Sequence, residues 1–181
     1  MKGVIFQILE QVIVQEHGED AWEGLLDAAE LDGAYTSLAS YPDEHLFKLV
    51  AAASAALQET PQRIIRRFGR KAFPHLAGKY PLFLTPHNST IPFLLTLNDI
   101  IHPEVRKLYP GADVPEFDFS QTADRILILG YSSRRKLCAL AEGLIEGAAE
   151  HYGERVLLEQ TSCMHRGDDK CVIRCSFERI A

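Results

Sequence analysis

Three groups of residues in this 181-residue chain have the types and spacing for chemistry. The first centres on His102, in the run Asn98-Asp99-Ile100-Ile101-His102-Pro103-Glu104-Val105-Arg106-Lys107-Leu108-Tyr109. Leu94, Leu97, Ile101, Val105 and Leu108 recur three or four residues apart, the spacing of a buried helical stripe, and His102 adjoins that stripe. A neutral imidazole placed there has one donor and one acceptor nitrogen to satisfy, by hydrogen bonds or by a metal ion. The second group is Tyr131, Ser133 and Arg135, which alternate and so share one side of an extended segment. A guanidinium fork flanked by two hydroxyls suits a doubly acidic ligand, each bond to a charged group contributing roughly 1.5–3 kcal/mol. The third is sulfur. Cys163 and Cys171 bracket Arg166-Gly167-Asp168-Asp169, so a hairpin would bring them together, with Cys175 further along the strand and Cys138 approaching from a helix, a donor set for zinc. Taken singly, each group also fits ordinary structure: a hydrogen-bonded core histidine, a polar strand end, small buried thiols.

The elements that must position these groups follow from periodicity and punctuation. Residues 1–17 form an amphipathic helix ended at Gly18, and Glu19 to Leu31 a second, with Trp22, Leu25, Leu26 and Ala29 on one face and a stop at Asp32-Gly33. Pro42-Asp43-Glu44 opens a third helix to about Leu57, and Thr60-Pro61 opens a fourth. Phe73 to His87 reads as an irregular connection, after which Ser89 or Thr90 caps a long helix carrying His102, distorted or ended at Pro103. Glu116 to Ser120 and Arg125 to Tyr131 pair as strands around a turn at Ser120 to Asp124. Lys136 to Tyr152 returns to helix, with Leu137, Leu140, Ala141, Leu144, Ile145 and Ala148 on its apolar face; Arg155 to Thr161 and Cys171 to Phe177 form a second strand pair. The expected class is α+β, an N-terminal helical lobe followed by an antiparallel sheet of about four strands packed with helices.

Composition narrows the function. With 46% apolar residues the chain has ample core for one domain, with a helical lobe over about 1–60 and a mixed lobe over about 61–181. A net charge of −6 without a block of basic residues argues against nucleic acid and anionic membrane as partners. Arg63, Arg66, Arg67, Arg70 and Lys71, interleaved with Ile64, Ile65 and Phe68, read as a solvated helix face. Gln7, Glu10, Gln11 and Gln15 break the apolar N-terminus at helical period, so it is not a signal peptide, and no run is long enough to span a membrane. Four cysteines, three of them in the last twenty residues, suit a reducing cytoplasm.

Tyr131-x-Ser133-x-Arg135, preceded by a helical histidine with Tyr109-Pro110 shortly after it, resembles the haem nitric oxide/oxygen-binding (H-NOX) domain of the stand-alone bacterial type. The resemblance runs from Met1-Lys2-Gly3 through Trp22 to the cysteine-containing tail. It implies a haem b between the lobes, with His102 as proximal iron ligand, Tyr131, Ser133 and Arg135 on the propionates, and Pro115 pressing on the porphyrin. Ile5, Leu9, Leu140 and Leu144 are expected as the other wall of an apolar slot. The place five residues after Arg135, a tyrosine in members that hold dioxygen, is Leu140 here, which favours nitric oxide. Some relatives hold zinc at the places of Cys138, Cys163 and Cys171 and of a histidine that is Gln160 here, leaving Cys175 or His165 for the fourth position.

The function so implied is a cytoplasmic nitric oxide sensor, not an enzyme, also able to take carbon monoxide, in which loss of the iron bond to His102 alters a separate signalling protein such as a histidine kinase or a cyclic-di-nucleotide enzyme. Two other readings stay open on the sequence. Glu159-Gln160-Thr161-Ser162-Cys163 through Cys171 also resembles the haem-free small-molecule-binding domain of the 4-vinyl reductase type, and the cysteines alone would serve a zinc/thiol redox switch.

Overall fold

Amphipathic periodicity produces four helices first: α1 (Gly3–His17), α2 (Glu19–Ala29), α3 (Asp43–Leu57) and α4 (Pro61–Lys79). They bury Val4, Phe6, Ile8, Leu9 and Val12 of α1, Trp22 of α2, Leu46, Leu49 and Val50 of α3, and Ile64, Ile65 and Phe68 of α4 in one cluster. The structure, a computed structural model, describes residues 1–123 and 125–180. No helix among them is long and apolar enough to cross a membrane.

The boundaries follow local chemistry with instructive exceptions. Gly18 takes φ 87° where α1 stops, and Thr60 caps α4 by accepting from Arg63 N. α2 stops at Ala29, short of the expected Leu31, because Glu30 adopts the left-handed conformation at φ 55°. Residues 73–79, expected within an irregular connection, instead continue α4 with Pro74 inside it. Phe73 and Ala77 are buried while Pro74 is exposed. Burying a phenylalanine contributes roughly 1.5–3 kcal/mol, which with its neighbours offsets the roughly 3 kcal/mol cost of an interior proline. The irregular connection is confined to the stretch after Lys79, including a 3-10 turn at Pro81–Phe83.

The second half is one antiparallel sheet of β1 (Glu116–Ala123), β2 (Ile126–Ser132), β3 (Glu154–Ser162) and β4 (Cys171–Arg179), in the order β1-β2-β4-β3. β1 runs three residues past the expected Ser120, and the expected turn residue Asp124 lies outside the described residues. Alternation buries Leu127, Leu129 and Tyr131 of β2 and Cys171, Ile173, Cys175 and Phe177 of β4. Against that face lies α7 (Cys138–His151), contributing Ala141, Ile145, Ala148 and Ala149 to the second cluster.

α4 and α7 join the two clusters. Gly143 lets the helices approach so closely that a Cβ there would strike the Arg66 carbonyl. Arg66 binds Glu142 at 3.2 Å and Glu146 at 2.7 Å, Arg70 pairs with Glu150, Arg67 with Glu59 and Lys71 with Glu16. The basic face of α4 is thus neutralised by this chain's own carboxylates.

Candidate functional site

The segment that carries His102 is not one long helix. α5 (Thr90–Leu94) is followed by a π-helical turn, Leu97–Ile101, and then by α6 (His102–Leu108). Ile101 N donates to Thr96 O at 3.0 Å and His102 N to the Leu97 carbonyl, both spanning five residues rather than four. Pro103 explains the widening, since it has no N–H to give and its ring would collide with the Asp99 carbonyl in a regular helix. The extra residue also rotates the stripe. Leu108, expected inward, is 48% exposed, and Tyr109 takes its place at 6%.

His102 reaches a cavity of about 320 Å³ lined also by Asn98, Arg106, Pro115, Glu116 and Phe117. Its ring stacks on Phe117, with centroids 5.6 Å apart and planes 26° apart. Burial, reinforced by the nearby Arg106 charge, drives its pKa down to about 4, opposed by the Pro115 carbonyl. The ring is therefore neutral near pH 7, the form with a lone pair to give. Its Nδ1 is buried and has no hydrogen-bond partner of good geometry among the described residues. Such an unsatisfied group costs roughly 1–3 kcal/mol, so the arrangement favours an added ligand or one that reorients the ring.

Asn98 and Phe117 escaped the sequence reading. Asn98 Nδ2 donates to Phe117 O at 2.6 Å and its Oδ1 accepts from Phe117 N at 3.4 Å, tying the π-turn to β1. The available clue was position, since Asn98 precedes His102 by four residues and so shares its side of the turn.

Tyr131 near the end of β2, Ser133 just past it and Arg135 in the turn that follows come together. Tyr131 is buried, its hydroxyl accepting from Leu137 N at 3.0 Å and hydrogen-bonded with the Ser133 side chain. Burial pushes this phenol above its ordinary pKa, so it remains protonated. Ser133 Oγ accepts from Arg135 N at 3.3 Å. Arg135 donates from Nε to Asp43 Oδ2 at 2.8 Å, and Asp43 also binds the Met1 ammonium at 2.6 Å. Arg135 also reaches Asp113, Nη2 lying 3.4 Å from Oδ2, and the more exposed Arg134 binds that same oxygen from Nε at 2.6 Å.

Pro115 lies on the wall of the His102 cavity, whereas Ile5, Leu9, Leu140 and Leu144 do not line it. Ile5, Leu9 and Leu140 pack in the helical cluster and Leu144 in the sheet cluster, so the two leucines of α7 mark the seam between the cores.

Three of the four cysteines converge. Cys163 follows β3, Cys171 begins β4 and Cys138 begins α7, and their sulfurs lie within 4.8 Å of one another, all buried. The connecting loop is fixed by Cys163 N donating to Asp168 Oδ2 at 2.6 Å, by the Met164–Arg166 3-10 turn and by Gly167 at φ 95°. Met164 N donates to Cys171 Sγ at 3.3 Å. Burial raises the thiols of Cys138 and Cys171, the latter to about 12, so they are protonated unless a metal displaces the protons. Cys175 is not in this cluster. It lies four residues along the same face of β4, about 13 Å away by strand rise, near the Ile173 carbonyl. His165 turns outward, its Nε2 2.7 Å from the Lys136 carbonyl.

Residues 2–160 match the family model described as Haem-NO-binding. The crystal structure of an H-NOX protein from S. oneidensis in the Fe(II)NO ligation state superposes with a TM-score of 0.93 at 32% identity, covering 99% of this chain and 100% of that one. An NMR structure of an H-NOX domain from Shewanella oneidensis in the Fe(II)CO ligation state gives 0.89 at 31% identity, over 99% and 100%. The Fe(II) unliganded H-NOX protein from K. algicida shares the fold, with a TM-score of 0.88 at 23% identity over 99% and 98%.

Proposed function

The chain belongs to the haem-NO-binding (H-NOX) family, and from that premise we propose that it is a haem b gas sensor rather than an enzyme, with His102 as the proximal iron ligand. That membership sets aside the haem-free small-molecule domain. The observation that carries the reading is the His102 ring, held neutral by burial, stacked on Phe117 and left with a buried nitrogen that has no well-aligned partner among the described residues.

When bound, the haem supplies a ferrous iron able to take nitric oxide or carbon monoxide. His102 would give that iron its lone pair. Tyr131, Ser133 and Arg135 would hold the propionates, and Pro115 would press on the porphyrin from the His102 side. Ile5, Leu9, Leu140 and Leu144 would complete the apolar wall along the seam between the two cores. Leu9, Leu140 and Ala141 carry no hydrogen-bond donor, so selection runs against dioxygen, whose retention gains from one, and toward nitric oxide, which binds without.

His102 starts α6 directly after the π-turn, where the backbone ladder changes from bonds spanning five residues back to four. Release of this side chain would let residues 97–108 relax and change the surface that bears Ile100 and Leu108, both exposed. A separate cytoplasmic signalling protein, a histidine kinase or a cyclic-di-nucleotide enzyme, would read that change. A complete swing of such a partner requires roughly a 10⁴-fold difference in affinity between the two states, so a partial shift is the expected output. The Cys138–Cys163–Cys171 cluster fits a zinc ion in donor type and separation, and zinc is part of this reading.

The test is the absorption spectrum of the reduced protein under argon, air and nitric oxide. The expected result is a five-coordinate ferrous Soret band that shifts with nitric oxide and is unchanged by dioxygen. A protein reconstituted with haem that shows no Soret band of a histidine-bound iron contradicts the proposal.

A further inference from the structure

The thiol cluster is one ligand short. A closed zinc site takes four ligands in a tetrahedron, and the described residues bring three sulfurs together. Neither reserve ligand fills the gap, because Cys175 sits about four strand residues away and His165 is committed to the Lys136 carbonyl outside the cluster.

Gln160 touches the cluster at Cys138, yet its chemistry is wrong for the fourth position. Its side chain lies within hydrogen-bonding reach of Cys138. The amide Nε2 is buried and has no well-aligned partner in the neutral cluster. An amide N–H cannot ligate a metal but can donate to a sulfur that becomes anionic. Met164 N already does this for Cys171 at 3.3 Å. Two such donors suit a cluster that would carry net charge −1 once three thiols had released their protons to solvent and taken up a divalent ion.

Resting on the reading of this cluster as a zinc site, we infer that Cys138, Cys163 and Cys171 form an open three-thiolate centre in which Gln160 supports the Cys138 sulfur, and whose fourth position takes water or a small exogenous ligand such as a thiol. Met164 separates Cys163 from the exposed loop 165–170, the side from which a small ligand would reach the buried sulfurs. A centre of this kind exchanges its fourth ligand and loses zinc to competing thiols more readily than a four-ligand protein site.

Zinc-edge X-ray absorption of the reduced, haem-loaded protein reads the coordination directly, without interference from iron. The expected spectrum has three sulfurs at about 2.3 Å and one lighter atom at about 2.0–2.1 Å. Added 2-mercaptoethanol should raise the sulfur count from three to four in the natural chain. In Gln160→His the count should stay at three, because the imidazole closes the site. Four sulfurs without added thiol would mean that Cys175 joins the centre and would overturn the inference. So would a light ligand that resists the thiol, or zinc absent from the cysteines. The Soret band of the same sample reports the haem reading separately: its absence beside an intact zinc spectrum defeats the sensor proposal and leaves this inference standing.

Discussion

Tyr131 lies opposite Cys171 in the β2–β4 ladder, so the phenol of the proposed propionate clamp (Tyr131, Ser133 and Arg135) and one sulfur of the thiol cluster share a single row of the sheet. On its other side Tyr131 faces Phe117 of β1, whose ring stacks on His102. A continuous line of contacts thus runs from the sulfur cluster through the clamp to the imidazole. Cys171→Ser should therefore act beyond the sulfur cluster itself. We expect it to speed haem loss severalfold, measured by transfer to an excess of a tighter haem acceptor, while the exposed control Arg134→Ala leaves the rate unchanged. Equal rates in Cys171→Ser and the natural chain would show that the row is not a coupling path.

Both arginines pair with Asp113, but Arg135 is only 10% exposed and also binds Asp43, while Arg134 is 76% exposed. Arg135→Ala should weaken haem retention well beyond Arg134→Ala, by about 1.5–3 kcal/mol for one lost charged hydrogen bond. Haem dissociation rates of the two variants decide this, and similar rates would remove Arg135 from the clamp.

Asp43 gives the clamp a pH dependence. Burial pushes its carboxyl upward, but the hydrogen bonds and charges of the Met1 ammonium and Arg135 outweigh this and hold it below the ordinary carboxylate range. A depressed folded value contributes stability that is present above the unfolded value near 3.9 and is lost as pH falls through the folded value. Asp43→Asn should cost roughly 1–2 kcal/mol at pH 7, allowing for partial exposure, and progressively less below about pH 4. Denaturant unfolding of both proteins at pH 7 and in acid measures the gap, and a gap independent of pH would contradict this origin.

Leu140→Tyr should move the reduced protein toward binding dioxygen. Leu140 is half-buried on α7 one turn before Leu144, so a phenol there can reach the seam between the cores. One hydrogen bond of roughly 0.5–1.5 kcal/mol corresponds to about a tenfold gain in dioxygen affinity, reduced by any crowding. Dioxygen titration of both ferrous proteins measures it. No gain, with the hydroxyl placed at the gas site in a crystal structure, would shift the selectivity to strain around His102 and Pro115.

The parts legible in the sequence were those decided by neighbours along the chain. The limits of α1 and α3, the cap at Thr60 and both strand pairs follow from spacing and punctuation, whereas the extended alternation expected of Tyr131, Ser133 and Arg135 gives way to a turn at Arg134–Arg135 once β2 ends at Ser132. What was not legible depended on contacts distant in sequence. α4 runs through Pro74 because Phe73 and Ala77 are gripped by the sheet core. Pro103 announced a distortion but not its form, and the π-turn that results exchanges Leu108 for Tyr109 in the core. The Asn98–Phe117 clasp follows from how β1 is placed against the π-turn, which no local pattern encodes, whereas the distance of Cys175 from Cys171 follows from strand rise alone.

The central claim is that one imidazole holds the haem, and His102→Gly tests it most directly, since the change removes that ring and leaves the cavity walls of Pro115 and Phe117 in place. The measurement is the ferrous absorption spectrum and haem content of the variant, purified with and without free imidazole. The account predicts a folded chain that loses haem alone and regains the natural Soret band when imidazole is supplied. Full haem content and an unchanged spectrum without imidazole would contradict it.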